Sequence, residues 1–126
     1  MSGNLSPIAQ QKLAQLEIYA PRVQHLHTLV ETFAAAKTNQ GTLIAAIKRA
    51  ADTLKLSFMT AGLEQMSQTC NAVWMVAHRG GTQSTRTRTF REHVGTLKFQ
   101  MELEARTILR EDKERRAKED KARLQS

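Results

Sequence analysis

The chain has 126 residues, of which 40% are hydrophobic and two are proline, a composition that fits one compact domain with an ordinary core. Nineteen Lys and Arg against twelve Asp and Glu give a net charge of +7, which favours acidic partners such as a carboxylate-rich protein face, nucleic acid or anionic lipid. The single cysteine excludes an internal disulfide, and no Cys/His group has zinc spacing. With no basic, apolar leader and no apolar run longer than residues 72–77, we expect a soluble, untargeted cytoplasmic protein without a membrane partner.

The first third of the chain has two stretches of helical periodicity separated by a proline. Ser6 and Pro7 are typical of a helix start, because the serine side chain can accept from a free amide and proline at the first position loses no hydrogen bond. A weak apolar stripe follows as far as Pro21, which is expected to end or kink the helix. Beyond it, apolar residues recur every three or four positions and predict a second helix, which stops in residues 37–41.

Two more helices are predicted in the middle of the chain. Thr42 can cap the first, which stops at Gly62. Its buried stripe recurs at helical spacing and consists of Ile44, Ile47, Ala51, Leu54 and Phe58. The next helix begins almost at once and closes at the glycine pair 80–81. Cys70 lies on its inward face, so we expect a buried and inert thiol.

The last part of the chain has three stretches in turn: a polar stretch, a stretch with an apolar helical period, and a charged stretch. Residues 82–89 are rich in Thr and Ser without any apolar side chain, which predicts a mobile loop. A strong helical period then covers Phe90–Ile108. Residues 110–123 are almost entirely charged and would project into solvent if helical. We therefore divide the chain into one helical-bundle domain, residues 1–109, and a charged helical or disordered tail, residues 110–126.

These elements predict an all-α fold. We expect an antiparallel four-helix bundle with an extra N-terminal helix and a charged C-terminal helical extension, since no stretch alternates with a period of two. The sequence has no phosphate-binding glycine loop, no nucleophile elbow and no pair of catalytic carboxylates, and its four histidines lack metal-hydrolase spacing. We therefore expect a protein that is not an enzyme and needs no metal or cofactor.

The segment from residue 48 to residue 62 contains the most informative pattern. A helical projection puts five side chains on the flank and the far side of the buried stripe, namely Lys48, Asp52, Lys55, Leu56 and Met59. Leu56 and Met59 are thus predicted to be exposed within a charged rim, which is the composition of a protein-docking surface. The alternative is that another segment, such as the N-terminal helix, covers both side chains and makes them part of the core.

A family resemblance involves the same segment. The run Ala51-Asp52-Thr53-Leu54-Lys55, followed by Gly62 and Leu63-Glu64-Gln65-Met66, resembles the signature of histidine-containing phosphotransfer (HPt) domains, which pass phosphoryl groups between receiver domains in bacterial phosphorelays. The order of helices across residues 22–109 agrees with that family. The sequence departs from the signature at two positions, because Asp52 replaces the phosphorylated histidine and Leu56 replaces the small residue that lets a receiver come close.

The resemblance implies an HPt-like scaffold without the transfer chemistry, a pseudo-HPt domain. Lys55 would lie where the family neutralises phosphate charge, and Asp52 would present a fixed carboxylate in place of the phosphoryl group. The implied function is a non-catalytic signalling adaptor or regulator that docks a receiver domain or a histidine kinase through Lys48, Asp52, Lys55, Leu56, Met59 and Gly62. An active phosphotransfer protein that uses His27 is less favoured, because Val30 stands in place of the motif's lysine.

A second candidate site is the basic segment, which contains Arg79, Arg86, Arg88 and Arg91. No acidic residue occurs between Glu64 and Glu92, and the interspersed hydroxyl groups suit phosphate contacts. The segment lacks aromatic residues for base stacking, so a solvated loop whose charge serves solubility is the simpler interpretation. The alternative function is therefore a small basic helical module that binds nucleic acid or another polyanion through Arg79–Arg91 and the tail.

Overall fold

The computed structural model describes residues 5–125, which form four helices: α1 (Pro7–Ala35), α2 (Gln40–Thr60), α3 (Glu64–Arg79) and α4 (Gln83–Gln125). No strand occurs in this range. Each helix packs against two others, α1 and α3 both contacting α2 and α4. The prediction of an all-helical bundle is confirmed. None of the helices in the described range reaches the length and hydropathy that spanning a bilayer requires.

The helix α1 is one continuous helix that passes through Pro21. It begins as predicted, with the Ser6 hydroxyl accepting from the Ala9 amide at 3.1 Å. The buried face continues across the proline through Tyr19 and Val23. A proline inside a helix costs about 3 kcal/mol, whereas each fully buried large apolar side chain contributes about 1.5–3 kcal/mol. The expectation of a separate N-terminal helix is therefore wrong, because the apolar stripe on both sides of Pro21 outweighs the proline's cost.

The core contains one apolar stripe from each helix. Aromatic rings join distant parts of these stripes: the Tyr19 and Phe58 rings have centroids 4.8 Å apart, and those of Phe33 and Phe90 are 5.9 Å apart. The buried members are Tyr19, Val23, Leu26, Val30 and Phe33 of α1, Ile47, Ala51, Leu54 and Phe58 of α2, Met66, Cys70, Val73 and Ala77 of α3, and Phe90, Val94 and Leu97 of α4. The buried stripe predicted for α2 is thus confirmed at Ile47, Ala51, Leu54 and Phe58, whereas Ile44 is only partly buried.

The start of α4 differs from the sequence-based prediction. The helix begins at Gln83, so the expected mobile loop over residues 82–89 is wrong beyond its first residue. Thr82 caps the helix, its hydroxyl accepting from the Thr85 amide at 3.1 Å. The Gln83 side chain donates to the carbonyls of Phe33 and Ala36 at 2.7 and 2.6 Å, where α1 ends. Polar hydrogen bonds, rather than an apolar stripe, hold this first turn of α4.

The start of α2 also differs from the sequence-based prediction. The helix begins at Gln40, after Asn39, which has a left-handed backbone with φ of 59°. The expected cap, Thr42, therefore lies inside the helix. The end of α3 agrees with the prediction, because Gly80 follows its last residue with φ of 88°.

The helix α4 has 43 residues, a length of roughly 65 Å, and it continues into the charged segment without a break. A second, smaller core joins Ala9 and Leu16 of α1 to Ile108 of α4. One helical turn further, Asp112 is only 4% exposed. Its carboxylate accepts from the Ser6 amide at 3.5 Å and from the Arg115 guanidinium at 2.6 Å. The beginning of α1 is thus fastened to the first turn of the charged segment.

The hydrogen bonds from Ser6 and Arg115 lower the pKa of Asp112 from its ordinary value. A carboxyl group whose pKa is lower in the folded than in the unfolded protein contributes stability above the unfolded pKa, near 3.9. That contribution is lost as the pH falls through the folded-state pKa. We predict that Asp112→Asn lowers the melting temperature at neutral pH, and that wild type and variant converge below the folded-state pKa.

Thermal melts by circular dichroism across the acidic range measure this difference. Asp120→Asn is the matched control, because Asp120 is an exposed acid on the same helix that pairs only with Arg123 among the contacts seen in the described residues. An equal loss of melting temperature in both variants, or a loss in Asp112→Asn that is independent of pH, would contradict the prediction.

Candidate functional site

The outward face of α2 exposes two large apolar side chains, which we call the α2 patch: Leu56 and Met59. They are 54% and 56% exposed, whereas Phe58 between them is fully buried. The helical projection of the sequence is therefore confirmed for both residues. The alternative in which the N-terminal segment covers them is wrong, because that segment continues α1 and packs along α4 with its own apolar residues.

Two charged side chains accompany the α2 patch. Asp52 is exposed one turn before Leu56, and no described residue forms a hydrogen bond or ion pair with its carboxylate. Lys55 is half-buried at the border with α3, where its carbonyl accepts from the Ser67 hydroxyl at 3.1 Å. The patch thus has an acidic neighbour on its N-terminal side and a basic one towards α3.

Lys48 is turned towards α3 rather than towards the α2 patch. Its Nζ lies 3.1 Å from Nδ1 of His78 and 5.2 Å from the ring centroid of Trp74. The Trp74 and His78 rings are stacked, with centroids 4.7 Å apart and planes inclined by 11°. A cation held over an aromatic face is worth about 0.5–1 kcal/mol at an exposed site. Helical periodicity could not predict this cluster, because Lys48 lies on α2 and both rings lie on α3, with His78 30 residues away from Lys48.

Gly62 ends α2 and sets the angle at which α3 follows. The Gly62 amide donates to the Met59 carbonyl at 3.1 Å, and the Leu63 amide donates to the Phe58 carbonyl at 2.8 Å, which is the Schellman arrangement. A Cβ at Gly62 would meet no atom within 4 Å, so its φ of 77° is what favours glycine here. Gly62 therefore positions the end of the α2 patch through the backbone.

The basic segment is divided by the fold. Arg91 forms a bidentate ion pair with Glu31 of α1, at 2.9 and 2.7 Å, which lowers the pKa of Glu31 and raises that of Arg91. Arg86 is half-buried, and a Cβ at Gly80 would lie 3.1 Å from its Nη2, so its side chain lies against the α3–α4 turn. Arg79 and Arg88 are exposed. Of the four arginines, the structure thus leaves these two most open to a polyanion.

A polar cluster between α1 and α4 was not predicted from the sequence. Lys98 of α4 lies 3.1 Å from Oε1 of Gln24 and 2.7 Å from Nδ1 of His27, both on α1. The Arg91–Glu31 ion pair continues this series of contacts. Later residues of α1 therefore lie beside earlier residues of α4. The pattern that could have revealed them is the recurrence of polar side chains every three or four residues beside the buried stripe on both helices.

The described residues include neither a metal-binding cluster nor an exposed thiol. Within residues 5–125, no three His, Cys, Asp or Glu side chains lie close enough together to hold a metal ion. Burial raises the pKa of the Cys70 thiol to about 12, so the thiol stays protonated at neutral pH. No protein-family model, curated protein or solved structure matches the chain. What the α2 patch does must therefore be inferred from its own residues.

The exposure of Leu56 leads to a direct test of the α2 patch. Leu56→Glu places a charge in solvent, so it should change the free energy of unfolding by less than about 1 kcal/mol. Ile47→Glu, in the same helix, buries an unpaired carboxylate and should destabilise the protein by several kcal/mol or unfold it. Urea denaturation of the two variants measures both effects. Equal destabilisation by the two substitutions would mean that Leu56 is part of the core.

Proposed function

We propose that the protein is a non-catalytic, HPt-like signalling adaptor whose α2 patch docks a receiver domain or a histidine kinase of a phosphorelay. The observation that carries the proposal is the exposure of Leu56 and Met59 beside Asp52 and Lys55. A protein-docking surface combines an apolar centre with a polar rim, and its binding energy is concentrated in a few such central side chains. The antiparallel, HPt-like arrangement of the helices and a cytoplasmic location are part of the same proposal.

The geometry around Asp52 supports docking without phosphoryl transfer. Phosphoryl transfer depends on positioning and on charge stabilisation around the reacting oxygens. Asp52 lies on an open helix face, and no cluster of acidic or histidine side chains surrounds it in the described residues. Leu56 extends from the next turn on the same side and would hold a partner's reacting group away from residue 52. Binding can then persist where transfer does not.

Phosphoryl transfer can be tested directly. Incubated with an active histidine kinase and phosphorylated receiver domains, the wild-type protein is expected to acquire no acid-labile phosphoryl group. Asp52→His should also remain unlabelled, because Leu56 still obstructs the approach, whereas Asp52→His combined with Leu56→Gly should accept label. Radiolabelled phosphate retained on the protein gives the measurement. Phosphohistidine at His27 or at any other histidine of the wild-type protein would contradict the proposal.

Docking can be tested by affinity capture from native cell extract with three baits. The wild-type protein should retain a receiver domain or a histidine kinase, and Leu56→Glu should weaken that complex by about 2 kcal/mol or more, because it places a charge in the centre of the interface. Ile8→Glu is the matched control, since Ile8 is also a large exposed apolar side chain and lies in the first turn of α1. Mass spectrometry identifies the partner, and titration calorimetry with the purified partner gives the affinities.

Salt dependence separates docking from polyanion binding. Nucleic-acid binding that neutralises several phosphates loses orders of magnitude in affinity between about 50 and 200 mM salt, whereas docking through an apolar centre loses far less. Duplex DNA and the captured partner are titrated under both conditions. Tight, steeply salt-dependent DNA binding that Arg79→Gln with Arg88→Gln abolishes and Leu56→Glu leaves intact would overturn the proposal in favour of a basic nucleic-acid-binding module.

A further inference from the structure

A groove between α1 and α2 lies outside the α2 patch, and different residues line it. Its volume is about 460 Å³, and neither Leu56 nor Met59 lines it. Leu29 of α1 and Leu54 of α2 form its apolar walls, together with Ala46 and Ala50 of α2. Residues 46, 50 and 54 are spaced four apart, so they form a continuous strip about 12 Å long on one side of the helix. The two alanines leave the space between the helices unfilled.

The edges of this groove are positively charged. Arg22 of α1 and Arg49 of α2 line it from opposite helices, and His25 is a third nitrogen-bearing side chain at the edge. All three are exposed, and in residues 5–125 neither arginine forms a hydrogen bond or an ion pair with another side chain. No Asp or Glu lines the groove. Arginine keeps its charge at any physiological pH and binds a carboxylate with two parallel hydrogen bonds.

We propose that this groove binds a small amphipathic carboxylate, whose apolar chain lies along the Ala46, Ala50 and Leu54 strip and whose carboxylate pairs with the arginines at the edge. Small-molecule sites have volumes of about 300–1,000 Å³, mostly apolar walls and a few polar groups that fix orientation. This groove has all three features. The absence of acidic lining residues favours an anion over a neutral or cationic amphiphile. The site is independent of the docking function proposed for the α2 patch.

Decanoate is the probe for this site, and the whole 126-residue chain labelled with ¹⁵N is the receptor. Titration followed by NMR should give saturable shifts at the amides of Leu29, Ala46 and Ala50. A ligand of this size at the usual efficiency of about 0.3 kcal/mol per non-hydrogen atom binds with a dissociation constant on the order of a millimolar. Decyltrimethylammonium, which has the same chain length and the opposite charge, should bind at least about tenfold more weakly, because it cannot pair with arginine.

Three variants identify the groups that bind. Arg22→Gln with Arg49→Gln should weaken decanoate binding about tenfold or more, since a hydrogen bond to a charged group contributes about 1.5–3 kcal/mol. Arg79→Gln with Arg88→Gln removes the same net charge elsewhere and should leave the affinity unchanged. Ala46→Leu should fill the groove and abolish the shifts, with a melting curve to show that the fold is kept.

Leu56→Glu should bind decanoate like the wild type, which keeps this test separate from that of the α2 patch. Unsaturable shifts, shifts that map to other helices, equal binding by the Arg22→Gln, Arg49→Gln variant, or equal affinity for the cationic amphiphile would each overturn the assignment.

Discussion

The rotation of α2 about its own axis determines which of its side chains are buried in the core and which are exposed to solvent. Ile47, Ala51, Leu54 and Phe58 occupy one side of the helix, and Phe58 meets the Tyr19 ring of α1 edge to face. A rotation of α2 that covered Leu56 would bring Asp52 into the core, which costs several kcal/mol for an unpaired charge. The packing that stabilises the core therefore also keeps the α2 patch in solvent. A single helical register accounts for both properties.

The exposed side of α2 is divided lengthwise into two strips of different chemistry. Towards α3 lie the lysines, with Lys48 held against Trp74 and Lys55 beside the patch. Towards α1 lies the groove, whose small side chains at Ala46 and Ala50 leave space that larger residues would fill. The first strip is charged and borders the exposed α2 patch, whereas the second is a mostly apolar groove with charged edges, which α1 also lines. The side chains of both strips come from helices, and no loop contributes to either.

The elements that were predictable from the sequence are those held by local forces. The α2 stripe and the exposure of Leu56 follow from helical periodicity, and the ends at Gly62 and Gly80 follow from the glycine preference for a left-handed backbone. The elements that were predicted wrongly depend on polar contacts, some of them with distant partners. Residues 82–89 are helical because Thr82 caps them and Gln83 bonds to the end of α1, 47 residues away at Ala36. Neither contact produces an apolar helical period in the sequence.

The same distinction applies to the candidate sites. The sequence predicted the exposure of Leu56 and Met59 correctly, but it assigned Lys48 to the docking surface and Arg91 to the basic segment without the partners that hold them. Lys48 is held by α3 and Arg91 by Glu31, and both contacts join residues that are at least 30 positions apart. The groove could not be predicted, since it arises where two alanines on one helix face a neighbouring helix.

The contact between Ser6 and Asp112 spans 106 residues and has a consequence for the order in which the protein assembles. The hairpin of α2 and α3 is closed by short-range contacts, such as that of Ser67 with Lys55 only 12 residues earlier. Short loops close before long ones, so this hairpin can form while α4 is still being synthesised. The side of α1 that includes Leu16 lacks the cover of Ile108 until that residue has left the ribosome. Until then this apolar face of α1 is only partly covered, and partly covered apolar surface is the part of a nascent chain on which other chains can aggregate.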